Sequence, residues 1–482
     1  MKEREIARRK FLQSAALATA GLVAGTPVYA ESGAFEIGKT LDVRRFGARA
    51  DGKTDDTAAI QKALDAASRM GGVVLAPAGE YLIKGHLSIP NEVSLEGVWL
   101  APVRPPWRFP EAPKSRGTTL LAVGGAGNPD GEPFIFLHEN ATLKGLTIFY
   151  PGQVESNDLS AKVVPYPWTV RGKGQNCSII DVLMVNPYQA VDFGTFPCGR
   201  HLIRGLIGEP LHTGVFIAGS GDVGRVEDVH FWAFGGPSYD RFIATSGTAF
   251  LIGQTAWEDM VNCFSTQYRV GYHFIREGTG EAGSTANVLL TQCGAESVAT
   301  AVLVDDCAEG SGLSFVNGQY TGGVYGPLVG LIAMPGVEET FDSKTIEIRP
   351  TNTGPVKFTN CLIGTTRDGA TAALVEGKGQ VTFNSCVFPQ WGMGDADRWA
   401  GMSMPPTFNP QWGKMGSKAP AIRSLDGGLT VMGCDFMENG KTQIEIGESV
   451  VSACILGNRL RGGEEIINRS KGSVQIGLNT DR

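Results

Sequence analysis

The segment LKGLTI at residues 143–148 follows a short pattern: apolar, any, bend, apolar, any, apolar. Nine further copies follow it: IIDVLM (179–184), IRGLIG (203–208), VEDVHF (226–231), MVNCFS (260–265), LTQCGA (290–295), FVNGQY (315–320), FTNCLI (358–363), FNSCVF (383–388) and VMGCDF (431–436). Successive bend residues are 36, 24, 23, 34, 30, 25, 43, 25 and 48 residues apart. This spacing indicates a unit of about 24 residues with loop insertions, which is typical of a solenoid. Alternation around each bend indicates short strands meeting at a corner, so the sequence predicts an all-β, single-stranded parallel β-helix.

The residues at and after each bend suit such a corner. Gly, Asn and Asp recur at the bend, where they tolerate a positive φ. Five of the nine cysteines come directly after a bend: Cys263, Cys293, Cys361, Cys386 and Cys434. The odd number of cysteines and this shared, inward-pointing position predict a stack of buried thiols rather than disulfides.

The N-terminus has the features of an export signal. Residues 7–13 read ARRKFLQ, a twin-arginine pattern, and a weakly apolar run leads to the small-residue cleavage site Val28-Tyr29-Ala30. We therefore expect residues 1–30 to be a twin-arginine signal peptide and residues 31–482 to form one β-helix domain. The mature protein is then expected in the periplasm or outside the cell.

Charge and hydropathy narrow the set of partners. The chain has a formal net charge of −7, and the first 30 residues contribute +3, so the mature chain would carry −10. An acidic exported protein is not expected to bind nucleic acid. No internal apolar run reaches the roughly 18 residues that a membrane span needs, so we expect none in the mature chain.

Two loop insertions interrupt the repeat, near residues 99–116 and 389–420, and both contain tryptophan and proline. Aromatic faces bind sugars, so these insertions are predicted either to wall a binding groove or to contact another subunit. Trimers are common among such solenoids, so a homotrimer is one expected assembly.

Residues 44–67 read RRFGARADGKTDDTAAIQKALDAA, with two adjacent carboxylates at Asp55 and Asp56. Residues 57–68 have an apolar helical face, formed by Ile60, Ala63, Leu64 and Ala67. The two aspartates therefore stand at a helix start, where carboxylates cap free N–H groups and suit the helix dipole. We interpret them as caps rather than a catalytic pair, and the helix as a lid on the N-terminal end of the solenoid.

The segment FGARADGKTDDTAAIQKALDAA (46–67), followed by GGVVLAPAGEYLI (71–83), closely resembles the start of the pectate-lyase-like, polygalacturonase-related superfamily. The resemblance implies a right-handed parallel β-helix and a carbohydrate-active protein that cleaves or binds polysaccharides. The polygalacturonase motifs Asn-Thr-Asp, paired Asp-Asp, Gly-His-Gly and Arg-Ile-Lys do not stand in their expected places. No catalytic residue can therefore be carried over from that family.

The resemblance also implies a groove along one sheet. That sheet is expected to contain AVDF (190–193), GVFI (214–217), TAFLI (248–252), GYHFI (271–275) and AVLV (301–304). Alternation points Val191 and Phe193 inward and Asp192 outward. The same rule exposes Phe216, His273 and Leu303.

Catalytic candidates follow from the stacking of coils about 4.8 Å apart. Carboxylates on neighbouring coils can reach the ~5–5.5 Å or ~6.5–9.5 Å separations of retaining or inverting glycosidases. Asp222 and Glu258 lie at equivalent points of successive coils and form the first pair, one as acid and the other as nucleophile or base. Asp192 is the third candidate. The expected substrate-binding residues are His212, Tyr239, Asp240, Arg241, Trp257, Arg269, His273 and Glu296.

These features predict an exported glycoside hydrolase that needs no cofactor and no metal, since no metal-ligand spacing occurs in the sequence. A polysaccharide lyase or a uronate epimerase is the alternative enzyme, because histidines, tyrosines and arginines lie among the candidate residues. A glycan-binding or surface-assembly β-helix without an active site is the alternative outside enzymes.

Overall fold

The computed structural model describes residues 40–69, 71–99, 117–154, 162–232, 237–277, 283–322, 344–365, 371–389, 391, 419–439 and 441–481. Within these ranges, a 3-10 helix spans Val43–Phe46, and there are two α-helices, α1 (Thr57–Ala67) and α2 (Pro237–Ser246). The first nineteen strands are β1 (Leu41–Asp42), β2 (Asp51–Asp55), β3 (Gly72–Leu75), β4 (Gly79–Ile83), β5 (Leu87–Ile89), β6 (Val93–Glu96), β7 (Thr118–Ala122), β8 (Ile135–Leu137), β9 (Thr142–Phe149), β10 (Trp168–Gly172), β11 (Ser178–Val185), β12 (Gln189–Phe193), β13 (Leu202–Gly208), β14 (Thr213–Ile217), β15 (Ser220–Glu227), β16 (His230–Trp232), β17 (Thr248–Ile252), β18 (Thr255–Val261) and β19 (Phe264–Thr266). The others are β20 (Val270–Phe274), β21 (Val288–Thr291), β22 (Gly294–Val298), β23 (Thr300–Val304), β24 (Leu313–Val316), β25 (Gln319–Gly322), β26 (Ile346–Ile348), β27 (Val356–Thr359), β28 (Leu362–Thr365), β29 (Ala373–Val375), β30 (Gln380–Asn384), β31 (Val387–Phe388), β32 (Ile422–Met432), β33 (Asp435–Phe436), β34 (Ile444–Leu456), β35 (Arg459–Leu460), β36 (Ile466–Asn468), β37 (Ser473–Gly477) and β38 (Thr480–Asp481).

The strands stack in parallel register into three faces. Face A contains β5, β8, β10, β12, β14, β17, β20, β23, β26 and β29, and continues through the first halves of β32 and β34 to β36. Face B runs from β1 and β3 through β15, β18 and β21 to β37. Face C runs from β2 and β4 through β16, β19 and β22 to β38. The predicted right-handed parallel β-helix is confirmed.

The corner between faces B and C is made by the predicted bend residues. All ten have a positive φ: Gly145, Asp181, Gly205, Asp228, Asn262, Gln292, Asn317, Asn360, Ser385 and Gly433. Strands β9, β11 and β13 pass through this corner, so each contributes to both faces. Side chains at neighbouring corners also bond along the axis: the Asn262 amide donates to Asp228 at 2.7 Å, and that of Asn360 to Asn317 at 2.8 Å.

The predicted thiol stack lies directly behind this corner. Cys263, Cys293, Cys361, Cys386 and Cys434 are all buried, and none forms a disulfide. Each thiol donates to a backbone carbonyl of the preceding coil, as Cys263 does to Val226 at 3.3 Å and Cys434 to Phe383 at 3.4 Å. Stacked rings continue the same core, for example Phe250 with Tyr272 at 4.8 Å.

Helix α1 lies over the N-terminal end of the core, as predicted. Its four expected apolar residues are fully buried and pack near β1, β3, β5 and β6. The Asp55 carboxylate accepts from the backbone N–H of Thr57 at 3.1 Å, which is the expected cap. The expected cap at Asp56 is wrong, because its buried carboxylate accepts instead from the backbone N–H groups of Arg49 and Ala50.

Several sequence predictions concern residues outside the ranges that the structure describes. The signal peptide at 1–30 lies outside the described residues, as do residues 100–116 and 392–418 of the two insertions. Within the described ranges, no helix is long and apolar enough to span a membrane.

The Asn360 corner allows a test of how the bend residues stabilise the fold. We expect Asn360→Ala to lower the free energy of unfolding by roughly 1–2 kcal/mol, because alanine is strained at φ +53° and cannot bond Asn317. Asn360→Gly removes only the hydrogen bond and should cost less than Asn360→Ala. Denaturant unfolding of both variants measures the difference, and equal losses would show that the strain is unimportant.

Candidate active site

The outward column of face A is built as the sequence predicted. Strand pairing aligns Asp192 with Phe216, Phe216 with Leu251, Leu251 with His273, and His273 with Leu303. The next residue in this column is Glu347 on β26. One face of the solenoid therefore brings together residues that are far apart in sequence. The expectation that Leu303 is exposed is wrong, because only 5% of its surface is accessible.

Asp192 lies in this column, but it does not reach solvent. Its Oδ1 accepts from the backbone N–H groups of Gly194 and Thr195, and its Oδ2 accepts from the Thr195 hydroxyl and from Arg171 Nε at 2.5 Å. The carboxylate is fully buried and bonded by four donors. The prediction that it faces the groove is therefore wrong, since the side chain is covered by the groups that it binds.

Glu258 is buried inside the solenoid, so it cannot share an open groove with Asp222. The backbone of Glu258 is in register with Gly224 on the neighbouring strand of face B. A Cβ atom at position 224 would come within 2.1 Å of Glu258 Oε2. The missing side chain at this glycine leaves space for the carboxylate. Glu258 Oε1 bonds His201 Nε2 at 3.0 Å, and both side chains are fully buried. Asp222 is 52% exposed and lies 3.6 Å from Arg200.

The buried glutamate changes the pKa of His201. Burial by itself would lower the pKa of His201, but the charge and hydrogen bond of Glu258 outweigh it and raise the pKa above its ordinary value. The Nδ1 atom of His201 also bonds the backbone carbonyl of Cys198 at 2.8 Å. This arrangement makes the pair a structural element of the core.

The predicted substrate-binding residues are spread around the solenoid. Near face A, His212 stacks on Tyr188 at 5.0 Å and is half-buried, and burial lowers its pKa. Arg269 is exposed directly before β20. Helix α2 carries three of them: Tyr239, which is buried, and Asp240 and Arg241, which are partly exposed.

Two more of them lie on other faces. Trp257 is exposed on β18 of face B and donates from Nε1 to Asp259 at 3.1 Å. Glu296 is exposed on β22 of face C. The structure therefore does not gather the predicted set into one site.

Face A instead carries a charged cluster around His273, formed with Asp305, Glu347 and Arg349. His273 Nε2 bonds Asp305 Oδ2 at 2.8 Å, and Arg349 Nη1 donates to Asp305 Oδ1 at 2.8 Å. Arg349 Nε donates to Glu347 Oε1 at 3.2 Å. The four side chains are 19–41% exposed, so they are accessible from the outer face. We call them the His273 cluster.

The His273 cluster places two carboxylates on neighbouring coils. Both carboxylates bond the same guanidinium, Asp305 through Nη1 and Glu347 through Nε, so they lie side by side on the outer face. His273 uses one nitrogen on Asp305, and its Nδ1 atom has no hydrogen-bond partner among the described residues. The described residues contain no group of three or more His, Cys, Asp or Glu side chains that could hold a metal ion.

Electrostatics set the charge of Asp305. Burial by itself would raise the pKa of this carboxyl, but the hydrogen bond and charge of His273, together with Arg349, lower it below its ordinary value. A depressed pKa keeps Asp305 ionised at moderately acidic pH. Asp305 contributes its full stabilisation at a pH above its unfolded-state pKa of about 4. This stabilisation is lost as the pH falls through the lower pKa of the folded state.

This pKa shift predicts a pH effect of Arg349→Gln. Loss of the guanidinium should raise the pKa of Asp305, so the acid limb of thermal stability should move to higher pH. Arg276→Gln is the matched control, because Arg276 bonds the neighbouring Asp306 at 3.2 Å instead. Superimposable pH profiles of wild type and Arg349→Gln would contradict the assigned role of the guanidinium.

Sequence reasoning found one member of the cluster and missed three. Strand alternation predicts that His273 faces the groove, but it does not single out Asp305, Glu347 or Arg349. Residues 323–343 separate β25 from β26, so the period of about 24 residues does not align Glu347 with Leu303. The outward position of Glu347 in IEI at 346–348 was the available signal.

Comparisons with known proteins agree with the fold. Residues 40–104 match the family described as "Rhamnogalacturonase A/epimerase, pectate lyase-like". The chain is 58% identical over 45 residues to alginate lyase 7 of Azotobacter vinelandii, a match covering 9% of this chain and 5% of that protein. It is 42% identical over 62 residues to a probable glucan endo-1,3-beta-glucosidase of Arthroderma benhamiae, covering 13% and 7%. The chain thus matches only a small fraction of each relative's length.

Two solved structures show the same architecture across most of the chain. The N-terminal fragment of bacteriophage Phi29 gene product 12 superposes with a TM-score of 0.59 at 13% identity, covering 92% of this chain and 70% of that one. A mutant tailspike protein of E. coli bacteriophage HK620, in complex with pentasaccharide, gives 0.55 at 11% identity, covering 92% and 78%. At such identities the likeness concerns the fold alone. The chain is a right-handed parallel β-helix, and its first coils, at residues 40–104, are similar to the pectate-lyase-like family.

Proposed function

We propose that this protein is an enzyme that cleaves a polysaccharide by hydrolysis, with the His273 cluster as its reactive centre. The observation that carries the proposal is the partly exposed pair of carboxylates, Asp305 and Glu347, on neighbouring coils of face A. Names of relatives, which include a lyase and a probable glucosidase, support action on polysaccharides.

The depressed pKa of Asp305 suits the ionised role, in which the carboxylate attacks the anomeric carbon or activates water. Glu347 is then the second carboxyl group, which must take up a proton and release Arg349 Nε before it protonates the leaving oxygen. His273 holds Asp305 in place through its hydrogen bond.

The pairing of the arginines favours hydrolysis over elimination. Elimination and C5-epimerisation both act on a uronate, whose carboxylate needs a cation to neutralise it. In this region Arg349 bonds Asp305 and Glu347, Arg276 bonds Asp306, and Arg171 bonds Asp192. Each guanidinium is already matched by a protein carboxylate, which suits a neutral sugar at the site of cleavage.

A lyase or uronate epimerase is the second candidate, and the His273–Asp305 hydrogen bond favours it. The aspartate would orient the ring and leave Nδ1 to remove a proton from the sugar. A β-helix that binds glycans without cleaving them is the candidate outside enzymes.

Product analysis on a panel of neutral and uronic-acid polysaccharides tests the proposal. New reducing ends without ultraviolet absorbance from an unsaturated sugar would support hydrolysis. Absorbance would show elimination, and a changed uronate without cleavage would show epimerisation. Binding without any product would support the non-catalytic candidate and overturn the proposed function.

The catalytic role predicted for Asp222 and the predicted homotrimer stay predictions.

On the basis of residues 1–30, we also propose export by the twin-arginine route to the periplasm or the cell exterior. Fractionation of cells expressing wild type and an Arg8→Lys, Arg9→Lys variant tests this, because the variant should stay in the cytoplasm.

A further inference from the structure

Face A carries a second feature on the N-terminal side of the His273 cluster. Four partly exposed aromatic residues lie on or beside successive strands: Phe136 on β8, Trp168 on β10, Tyr188 directly before β12, and Phe216 on β14. We call them the aromatic track. None of the four takes part in the His273 cluster.

The rings of the aromatic track are held in place. Trp168 stacks on Phe216 with ring centroids 6.3 Å apart and planes 26° apart. The Phe216 ring also lies close over Gly194, where a Cβ atom would approach it to 2.4 Å. Tyr188 stacks on His212, with planes 20° apart. These contacts fix the rings before any ligand arrives.

Asp192 supports this surface from below. Its buried carboxylate bonds the backbone N–H groups of Gly194 and Thr195 and the side chain of Arg171. Gly194 lies under the Phe216 ring, and Arg171 is in register between Phe136 and Asp192 on face A. Asp192 is therefore a positioning residue of the aromatic track.

The chemistry of the track fits a sugar chain better than a flat apolar partner. Aromatic faces pack against the apolar faces of sugar rings at a small entropic cost. Polar groups are interleaved with the rings: Arg171 lies in register beside Phe136, and Ser88 bonds His138 at 3.0 Å. Such an alternation offers hydrogen bonds to hydroxyl groups between the stacking positions.

We propose that the aromatic track is a binding subsite for neutral sugar residues on one side of the bond that is cleaved. This inference rests on the proposed function, because it takes the His273 cluster as the reactive centre. The glycan then lies along the solenoid axis across face A. Phe216 is two coils from His273 and Phe136 is five, which correspond to about 10 Å and about 24 Å.

This geometry predicts a dependence on chain length. Short oligosaccharides bound at His273 reach Phe216 at most, whereas longer ones also contact Trp168 and Phe136. Phe216→Leu and Trp168→Leu should therefore weaken the binding of long oligosaccharides by roughly three- to tenfold and leave the shortest ones unaffected. Phe264→Leu is the matched control, because Phe264 is a partly exposed aromatic residue on β19 of face C.

Isothermal titration calorimetry with glucan and mannuronan oligosaccharides of increasing length measures these affinities. Affinity electrophoresis in gels that contain each polysaccharide of the panel measures binding to the long chains. Losses confined to long chains and to the track variants would support the proposal. Each of these results would overturn it: equal binding by wild type and track variants, an equal loss in Phe264→Leu, or no binding to any glycan. Self-association abolished by Phe216→Leu would assign the track to a second copy and also overturn it.

The same data separate this proposal from the proposed function. Binding that depends on the track, without any product, leaves the subsite standing and removes hydrolysis. Hydrolysis that is unchanged in the track variants leaves the enzyme standing and removes the subsite.

Discussion

Asp305→Asn is expected to lower kcat of the proposed hydrolysis by roughly 10²–10⁴-fold, the usual range for losing a general acid or base. The amide matches the carboxylate in shape but carries no charge. It can therefore neither attack the anomeric carbon nor activate a water molecule. Glu347→Gln should cause a loss of similar size, because it removes the proton donor. Steady-state kinetics on purified variants measure both effects.

Asp222→Asn distinguishes this proposal from the catalytic role that the sequence predicts for Asp222. Asp222 is an exposed carboxylate beside an arginine, like Asp305, but it lies on face B. Its replacement should leave kcat within about twofold of wild type. A large loss in Asp222→Asn with full activity in Asp305→Asn would return the reactive centre to the carboxylate first chosen from the sequence.

Glu258→Leu is expected to reduce the free energy of unfolding by roughly 3–5 kcal/mol, the usual cost of removing one partner from a buried ion pair. The loss leaves His201 in the core without its counter-charge, although its Nδ1 atom keeps the Cys198 carbonyl. Denaturant unfolding followed by circular dichroism measures the change.

A double-mutant cycle with His201→Leu tests the pairing itself. The double variant should lose clearly less stability than the sum of the two single variants, because neither charge remains buried. Asp222→Leu, at an exposed position of the neighbouring strand, should cost less than about 1 kcal/mol. Additive losses in the cycle would show that His201 and Glu258 do not stabilise one another.

The contrast between Glu258 and Asp305 explains where sequence reasoning on the site stopped. Alternation along one strand tells which way a side chain points relative to the sheet. It does not tell whether a neighbouring coil supplies a glycine that leaves space, as Gly224 does for Glu258. Nor does it tell whether a flanking turn covers an outward side chain, as residues 194–195 cover Asp192.

The sequence by itself determined the architecture of this protein. The bend residues, the inward cysteines and the apolar face of residues 57–67 are local features, and local sterics and burial give them one structural meaning wherever they recur. Only the tertiary structure decided which charged groups meet. Asp305 and Arg349 are 44 residues apart in sequence, and they become neighbours because parallel coils align them across a long insertion. The register between coils is set by the packing of the whole core, so no short stretch of sequence contains it.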